Sequence, residues 1–264
     1  MLCDAHCHYH DPRLGSLHEG FADLLRQHKI GAGVVNGTRE SDWPAVAEIC
    51  AAHPSLLPAF GLHPWYTAGR SLDWETALIR FLDQHPGAML GETGLDCWIE
   101  GHDIEDQKRV FSRQLAIARE RNCAITVHCL RAHEPLRQVL QNQAAPARGF
   151  LLHAYAGSAA LVPWLLEKGA HFSFPPYFLH ARKAPQREMF RSLPEERLLI
   201  ETDAPDLVPP PEQKLEPLRA ADDTELNHPA NLTLAARALA EIRNLTVDRI
   251  AQLTAANWRR LFQS

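Results

Sequence analysis

The sequence of 264 residues lacks several features that would assign it to a class directly. Its six cysteines form no C-x-x-C pair, which argues against a zinc ribbon and a disulfide framework. It has no run of 18 apolar residues and no apolar stretch near its start, so we expect neither a membrane span nor a signal peptide. A formal net charge of −5 leaves no cationic surplus for gripping duplex nucleic acid. Together these absences predict a cytoplasmic globular protein.

Short apolar runs alternate with longer amphipathic segments, as in parallel βαβ units. The predicted strands are Met1–His6, Ala32–Asn36, Leu56–Gly61, Ala88–Glu92, Ala124–His128, Phe150–His153, Ala170–Phe174 and Leu198–Glu201. Helices are predicted between them, the first over Ser16–His28, and two more, Leu232–Leu245 and Val247–Phe262, follow the last strand. A (β/α)8 barrel takes roughly 250 residues. The pattern therefore predicts an α/β chain folded as a TIM-type barrel with additional C-terminal helices, in one domain over residues 1–264.

Histidine is abundant, with 15 residues, and several of these stand where predicted strands end. His6 and His8 point to the same side, with Asp4 below them, because side chains alternate faces along a strand. Other side chains that can bind a metal end or follow the fourth, fifth, sixth and eighth strands. The six candidate metal ligands are His6, His8, Glu92, His128, His153 and Asp203. Since barrel strands point their carboxyl ends to one face, we expect these side chains to meet there.

Six ligands are more than one tetrahedral site holds, so the sequence predicts two divalent metal ions. The first ion is assigned to the ligands of the first and eighth strands, and the second to His128 and His153, with Glu92 as the bridge. Paired ions about 3.5–4 Å apart can activate a water and stabilise the oxygens of a phosphoryl displacement. Asp203 and Glu92 are the candidate catalytic residues, with Asp203 as general base. Zinc, magnesium and manganese all suit such a mixture of imidazole and carboxylate.

Each of these residues also has an ordinary structural interpretation. A lone histidine at a strand end, such as His153, is commonly a hydrogen-bonded structural residue. Glu92 alone could be an exposed loop carboxylate, and Asp203 a turn former before Pro205. It is their recurrence at the ends of five predicted strands that favours a metal centre.

Several motifs surround these positions and cover the chain nearly end to end. They are Asp4-Ala5-His6-Cys7-His8, Gly61-Leu62-His63-Pro64, Gly91-Glu92-Thr93-Gly94-Leu95-Asp96, Gln107–Ala118, His153–Gly157 and Glu201-Thr202-Asp203-Ala204-Pro205. The sequence thereby resembles the TatD family of metal-dependent deoxyribonucleases, within the amidohydrolase-like barrels. The resemblance implies the barrel, a divalent-metal centre built from the six ligands, and 3′–5′ exonuclease activity on single-stranded DNA. The expected partner is DNA or another phosphodiester, and nothing in the sequence demands more than a monomer.

The rim of the barrel departs from the family pattern, and it is where the substrate contacts are predicted. The family usually has His-Ser-Arg after the fifth strand, whereas here Arg131 stands one place later. We predict Arg131 and His63 as contacts to a substrate phosphate, although His63 is also an alternative metal ligand. Asp96 either orients the loop that carries Glu92 or is a solvated carboxylate.

Aromatic residues near the rim are candidates for stacking on bases, which contributes about 1–3 kcal/mol per base. They are Trp98, Tyr155, Tyr177 and Phe178. Packing at the barrel rim is the alternative interpretation for each of them. Tyr155 is included among the predicted substrate-binding residues.

Two alternative functions remain open at this point. An amidohydrolase or esterase could act on a small molecule or a D-aminoacyl substrate, but many such barrels bridge their metals with a carbamylated lysine after strand four, where this chain has Glu92. The five lysines all fall in predicted helices or loops. A purely structural metal site is the second alternative, and it is disfavoured because structural zinc sites are closed and four-coordinate.

Overall fold

In the computed structural model, which describes residues 1–263, eight parallel strands close into a barrel in chain order. The strands are β1 (Leu2–Cys7), β2 (Ile30–Asn36), β3 (Leu56–Phe60), β4 (Met89–Asp96), β5 (Ile125–Leu130), β6 (Phe150–Leu152), β7 (Ala170–Phe174) and β8 (Leu198–Ile200). The helices are α1 (Gly15–His18), α2 (Phe21–Gln27), α3 (Trp43–Ala52), α4 (Trp74–Gln84), α5 (Ile104–Glu120), α6 (His133–Asn142), α7 (Val162–Glu167), α8 (Ala184–Ser192), α9 (Leu232–Arg243) and α10 (Val247–Phe262). The predicted (β/α)8 fold with additional C-terminal helices is confirmed.

The barrel closes where β1 pairs with β8, through Asp4 and Ile200. Every residue of β1, β4, β7 and β8 is buried, as expected for parallel strands covered by helices on one side and by the barrel interior on the other. The carboxyl ends of all eight strands therefore open on one face. A short hairpin, β9 (Leu218–Arg219) with β10 (Glu225–Leu226), follows β8.

The last helix, α10, covers the opposite end of the barrel at the closing seam. The buried indole of Trp258 donates to the backbone oxygen of Asp4 in β1 at 3.2 Å. The side chain of the neighbouring Asn257 donates to the oxygen of Leu198 in β8 at 2.8 Å and to that of Glu195 at 2.7 Å. One helix thus binds the first and the last strand together.

Among the predicted boundaries that were wrong, one in a helix and two in strands lie beside glycines. The helix predicted over Ser16–His28 is divided into α1 and α2 by Gly20, whose left-handed backbone (φ 80°) ends a helix. The fourth strand continues past Glu92, and the fifth past His128, because Thr93 to Asp96 pair with the end of β5. The glycines of this segment are part of the strand rather than of a loop.

Within the described part of the chain, no helix is both long enough and apolar enough to cross a membrane.

Candidate metal centre

The carboxylate of Glu92 lies at the middle of a cluster of histidines at the carboxyl end of the barrel. Its Oε2 atom is 3.3 Å from Nε2 of His6 and 3.3 Å from Nε2 of His8. Asp203 faces the same two rings, with Oδ1 at 3.5 Å from His6 Nε2 and 3.3 Å from His8 Nε2. The predicted ligands from the first and eighth strands therefore form one group, on the Oε2 side of Glu92.

The other carboxylate oxygen of Glu92 faces a second group of histidines. Oε1 is 2.9 Å from Nε2 of His153, 3.3 Å from Nδ1 of His128 and 3.4 Å from Nε2 of His63. The structure thus brings together all six predicted ligands, and it adds His63 to them. The rings of His6 and His153 stack at 4.0 Å, which places the two groups in direct contact.

The position of Glu92 depends on a close approach between β4 and β5. A Cβ atom on Gly94 would lie 2.0 Å from the backbone oxygen of His128, and one on Gly91 would lie 2.0 Å from Oγ1 of Thr126. Both glycines also have positive φ values, 138° and 153°. Only glycine fits at these two places, which accounts for the Gly-Glu-x-Gly pattern on physical grounds.

Two glutamines of α5 hold β4 from outside the barrel. Gln107 accepts a hydrogen bond from the backbone N–H of Asp96 at 2.8 Å and donates to its carbonyl at 3.0 Å. Gln114 accepts from the N–H of Leu62 at 2.9 Å and its amide lies 2.5 Å from Oγ1 of Thr93. These buried contacts hold the part of β4 that follows Glu92 and tie it to the segment after β3, the kind of support that keeps metal ligands in place.

The eighth strand delivers Asp203 through a left-handed backbone (φ 58°), which aspartate tolerates better than most residues. The N–H of Asp203 donates to the oxygen of His6 at 2.9 Å, and the N–H of His8 donates to the oxygen of Ala204 at 2.8 Å. The loop after β8 is therefore bonded directly to the end of β1.

Asp4 lies below the centre, as predicted, and supports it from there. Its carboxylate accepts from Oγ1 of Thr202 at 2.6 Å and from the hydroxyl of Tyr9 at 2.7 Å. It joins β1 to the segment before Asp203.

Hydrogen bonds on the far side of two rings decide which nitrogen faces the centre with a free lone pair. Nδ1 of His8 lies 2.7 Å from the carbonyl oxygen of Asn36 and must donate to it, which leaves Nε2 unprotonated in the neutral ring. Nε2 of His128 lies 2.8 Å from Oδ2 of Asp96, which leaves Nδ1 with the lone pair. Both rings therefore present an acceptor nitrogen to Glu92, the form in which histidine binds metals.

His63 is held in the opposite tautomer. Its Nδ1 accepts the backbone N–H of Trp65 at 3.2 Å, so the proton of the neutral ring is on Nε2. That nitrogen faces Glu92 as a donor and has no lone pair for a metal. The geometry favours the sequence-based choice of a phosphate contact over a ligand for His63.

Several buried polar atoms at the centre have no hydrogen-bond partner in the described part of the chain. They include both ring nitrogens of His6, Nδ1 of His153 and Oδ1 of Asp203. Leaving a buried polar atom unsatisfied costs about 1–3 kcal/mol, so such atoms call for an explanation. Three groups of residues have ligand atoms close enough to share an ion: His6, His8 and Asp203; His6, Glu92 and His153; His63, Glu92 and His128. The donor set fits divalent metals.

The electrostatics of the centre attract positive charge. Burial alone raises the pKa of Glu92, but the surrounding histidines, His63 first among them, outweigh it and hold that pKa well below its usual value. Burial lowers the pKa of His6 to about 4 and that of His63 to about 3. At His8, the neighbouring carboxylates of Asp203 and Glu92 outweigh burial and raise the pKa. Neighbouring carboxylates likewise outweigh burial at His128 and raise its pKa to about 9. A divalent ion binding to His8 and His128 would displace the protons of these rings, since histidine binds metal in its neutral form.

Asp96 is neither a solvated carboxylate nor the support of Glu92. It is fully buried and accepts hydrogen bonds from His128 Nε2 at 2.8 Å, Trp65 Nε1 at 2.8 Å and the N–H of Trp98 at 2.6 Å. Burial alone raises its pKa, but the bond to His128 outweighs burial and lowers the pKa to about 2. Its spacing of four residues from Glu92 along one strand was the signal for a side chain on the same face.

Arg131 lies at the rim with its side chain exposed and its backbone left-handed (φ 54°). It directly follows Leu130, the residue of β5 that pairs with Asp96. Its guanidinium has no ion-pair partner among residues 1–263. It stays a predicted phosphate contact.

The remaining aromatic candidates divide by burial. Tyr155 is 1% exposed and packs on the rings of His133 and Phe172, and Phe178 is also 1% exposed. Their burial favours the packing interpretation. Tyr177 is partly buried, and the cations of two neighbouring residues lie over its ring.

Trp98, in contrast, is 53% exposed, and beside it stands Trp65, which the sequence reasoning missed. Trp65 follows His63 in the loop after β3 and is 41% exposed. The two rings lie 6.0 Å apart at 33°. Its place two residues after a histidine of the centre was the signal in the sequence.

Comparison with known proteins agrees with this geometry. The model of the family described as TatD related DNase matches residues 3–263. The uncharacterized metal-dependent hydrolase YabD of Bacillus subtilis is 30% identical over 266 residues, covering 100% of this chain and 99% of the relative. The 3′-5′ ssDNA/RNA exonuclease TatD of Erwinia tasmaniensis is 27% identical over 239 residues, 90% of each chain.

A solved structure gives the same result. The crystal structure of YjjV, a TatD homologue from Escherichia coli, matches with a TM-score of 0.90 at 25% identity and covers 100% of this chain and 98% of that one. The barrel, the histidine and carboxylate cluster and the sequence relatives all agree. The chain belongs to the TatD-related DNase family of metal-dependent hydrolases.

Proposed function

We propose that this protein is a two-metal phosphodiesterase that removes nucleotides from the 3′ end of single-stranded DNA. The observation that carries the proposal is the division of ligands by Glu92, whose two oxygens face separate groups of histidines. A relative of similar length is named a 3′-5′ ssDNA/RNA exonuclease, which supports this choice of substrate. A cytoplasmic monomer remains our prediction for its state in the cell.

In this proposal, His6, His8 and Asp203 hold one divalent ion. His128 and His153 hold the other, and Glu92 is shared between them. Paired ions supply an activated water and stabilise charge on the attacking and leaving oxygens of phosphoryl transfer. Zinc, magnesium and manganese are the candidates, because imidazole favours zinc and carboxylates admit the other two.

The chain's own residues supply proton transfer and orientation. Oδ1 of Asp203 is buried, has no hydrogen-bond partner and faces the centre, so it is placed to accept a proton as general base. Nε2–H of His63 is a donor that can bind a phosphate oxygen. Arg131 adds a cation at the rim, where the rest of the strand's phosphates would lie.

Hydrolysis of phosphorus esters is preferred over amide hydrolysis because of the residue at the middle of the cluster. Here a glutamate occupies the place where many amidohydrolases use a carbamylated lysine. None of the eight barrel strands contains a lysine. An amidase or esterase for a small or D-aminoacyl substrate is the alternative outcome of the test.

The test is a substrate panel on one preparation reconstituted separately with zinc, magnesium and manganese. We expect release of mononucleotides from a single-stranded oligodeoxynucleotide, block by a 3′-phosphorothioate end, and no turnover of amide or D-aminoacyl substrates. A chelator should abolish activity, and metal should restore it. Turnover of the amide substrates without cleavage of the oligonucleotide would refute the proposal. Glu188→Gln, on the exposed face of α8, is the matched control for carboxylate substitutions.

A further inference from the structure

Two of the large apolar side chains that the fold leaves exposed are tryptophans, and they lie together. Trp65 comes from the loop after β3 and Trp98 from the end of β4, and their ring centroids are 6.0 Å apart with 33° between the planes. They are 41% and 53% exposed. Exposed apolar surface of this kind, close to a functional centre, marks a binding site. We call this pair the tryptophan shelf.

One buried carboxylate fixes the shelf against the metal centre. Oδ2 of Asp96 accepts the indole N–H of Trp65 at 2.8 Å, and Oδ1 accepts the backbone N–H of Trp98 at 2.6 Å. The same Oδ2 accepts Nε2 of His128 at 2.8 Å. Both tryptophans and a histidine of the centre are thus held by the same side chain, so a molecule lying on the shelf also lies next to the cluster.

The backbone of an exposed arginine lies beside the strand end that leads into the shelf. Leu130 pairs with Asp96 across β5 and β4, and its oxygen accepts the N–H of Cys97 at 2.9 Å. Arg131, the next residue, therefore has its backbone beside the residues that lead into Trp98. Its exposed guanidinium forms no ion pair within residues 1–263. Exposed flat rings, with an exposed arginine on the adjacent strand end, suit a molecule that carries both a planar group and a phosphate.

We propose that the tryptophan shelf stacks a base of a single-stranded nucleic acid next to the phosphate that is cleaved, while Arg131 contacts the backbone. This inference rests on the proposed function and adds the part of the substrate that is recognised. A duplex cannot use the shelf, since its bases are already stacked on one another. The indole N–H of Trp65 is occupied by Asp96, so stacking reads the face of a base and tolerates every sequence.

The test compares substitutions at Trp98 by binding to a single-stranded oligodeoxynucleotide with phosphorothioate linkages, which resist cleavage, and to an abasic oligomer of the same length. Full-length, metal-loaded protein is used throughout. Trp98→Ala and Trp98→Leu should weaken binding of the normal oligonucleotide about ten-fold, while Trp98→Phe stays within about three-fold of the starting protein. The abasic oligomer should bind all four proteins equally. Val247→Ala, at another exposed apolar position, is the control.

The outcomes separate this inference from the proposed function. Equal binding by Trp98→Ala and the starting protein overturns the shelf, and so does full binding by Trp98→Leu, because a bulky aliphatic side chain cannot stack. Loss of base-dependent binding in Trp98→Ala, with no cleavage of any oligonucleotide, keeps the shelf and refutes the exonuclease. Unchanged melting temperatures and metal contents across the variants show that folding and the centre are intact.

Discussion

The two halves of the centre differ in the groups that hydrogen-bond their histidines on the side away from Glu92. On the Oε2 side of Glu92, the backbone does the holding: the carbonyl of Asn36 binds His8, and the oxygen of His6 accepts the N–H of Asp203. On the Oε1 side, the side chain of Asp96 holds His128 and reaches out to the exposed tryptophans. The first half is held by main-chain groups, whereas the second is connected through Asp96 to the exposed tryptophan shelf.

This difference predicts which substitutions weaken metal binding and which weaken the binding or turnover of substrate. A histidine ring that is hydrogen-bonded to the backbone keeps its tautomer when neighbouring side chains are substituted. A ring held by a carboxylate changes its tautomer when that carboxylate is altered. The four substitutions below separate the halves, beginning with the residue that both share.

Glu92→Gln should have the largest effect, because both halves lose the same charged ligand at once. We expect kcat/KM for an oligonucleotide to fall by at least about 10³-fold, as when a main electrostatic contact of an active site is removed. The number of metal ions bound per chain, measured by elemental analysis, should fall because both halves lose a ligand. Retention of two ions per chain would show that Glu92 is not shared. Glu188→Gln should leave both quantities unchanged.

Asp203→Asn tests the enclosed half. Loss of the general base should lower kcat by about 10²–10⁴-fold with a much smaller change in KM. Because the backbone still holds His8, the amide should retain most of the metal, and elemental analysis checks this. A change confined to KM would show that Asp203 binds substrate and does not transfer a proton.

Asp96→Asn tests the half connected to the surface. The amide group can donate to Nε2 of His128, which would move the ring proton to Nδ1 and remove the lone pair that faces Glu92. We expect metal affinity, measured by competition with a chelator, to fall by about 10–100-fold. Asp248→Asn, exposed in the first turn of α10, is the control. Unchanged affinity would mean that His128 does not bind metal.

His63→Asn should have the smallest effect. If Nε2–H of His63 donates to a phosphate oxygen, its loss should lower kcat/KM by about 10-fold, the value of a single hydrogen bond to a charged group. Metal content should not change. Loss of one ion in this variant would make His63 a ligand and would reverse the tautomer argument.

The sequence was sufficient to predict the barrel and the meeting of the six candidate ligands, since both follow from periodicity and from the position of histidines and carboxylates at strand ends. It could not predict the contacts between strands. The role of Asp96 depends on β4 continuing past two glycines to pair with β5, and glycine commonly indicates a loop. Likewise, the burial of Tyr155 against Phe172 depends on how neighbouring strands are arranged, which local pattern does not contain.

The tautomers of the histidines could not be predicted from the sequence for a similar reason. His8 and His63 have the same side chain, yet one faces a carbonyl oxygen and the other a backbone N–H. That distinction arises from loops that come together only in the folded chain. Trp65 was missed because its place two residues after His63 becomes informative only once the fold brings it beside Trp98.

The hydrogen bonds from α10 to the first and the eighth strand have a consequence for the order in which the fold can form. Trp258 and Asn257 join the first strand to the eighth, and two of the candidate ligands lie near that seam, His6 on β1 and Asp203 just after β8. Because α10 follows β8 in the chain, it can brace this seam only after both strands have been synthesised. The helix that supports this side of the candidate centre is therefore among the later parts of the described fold to become available.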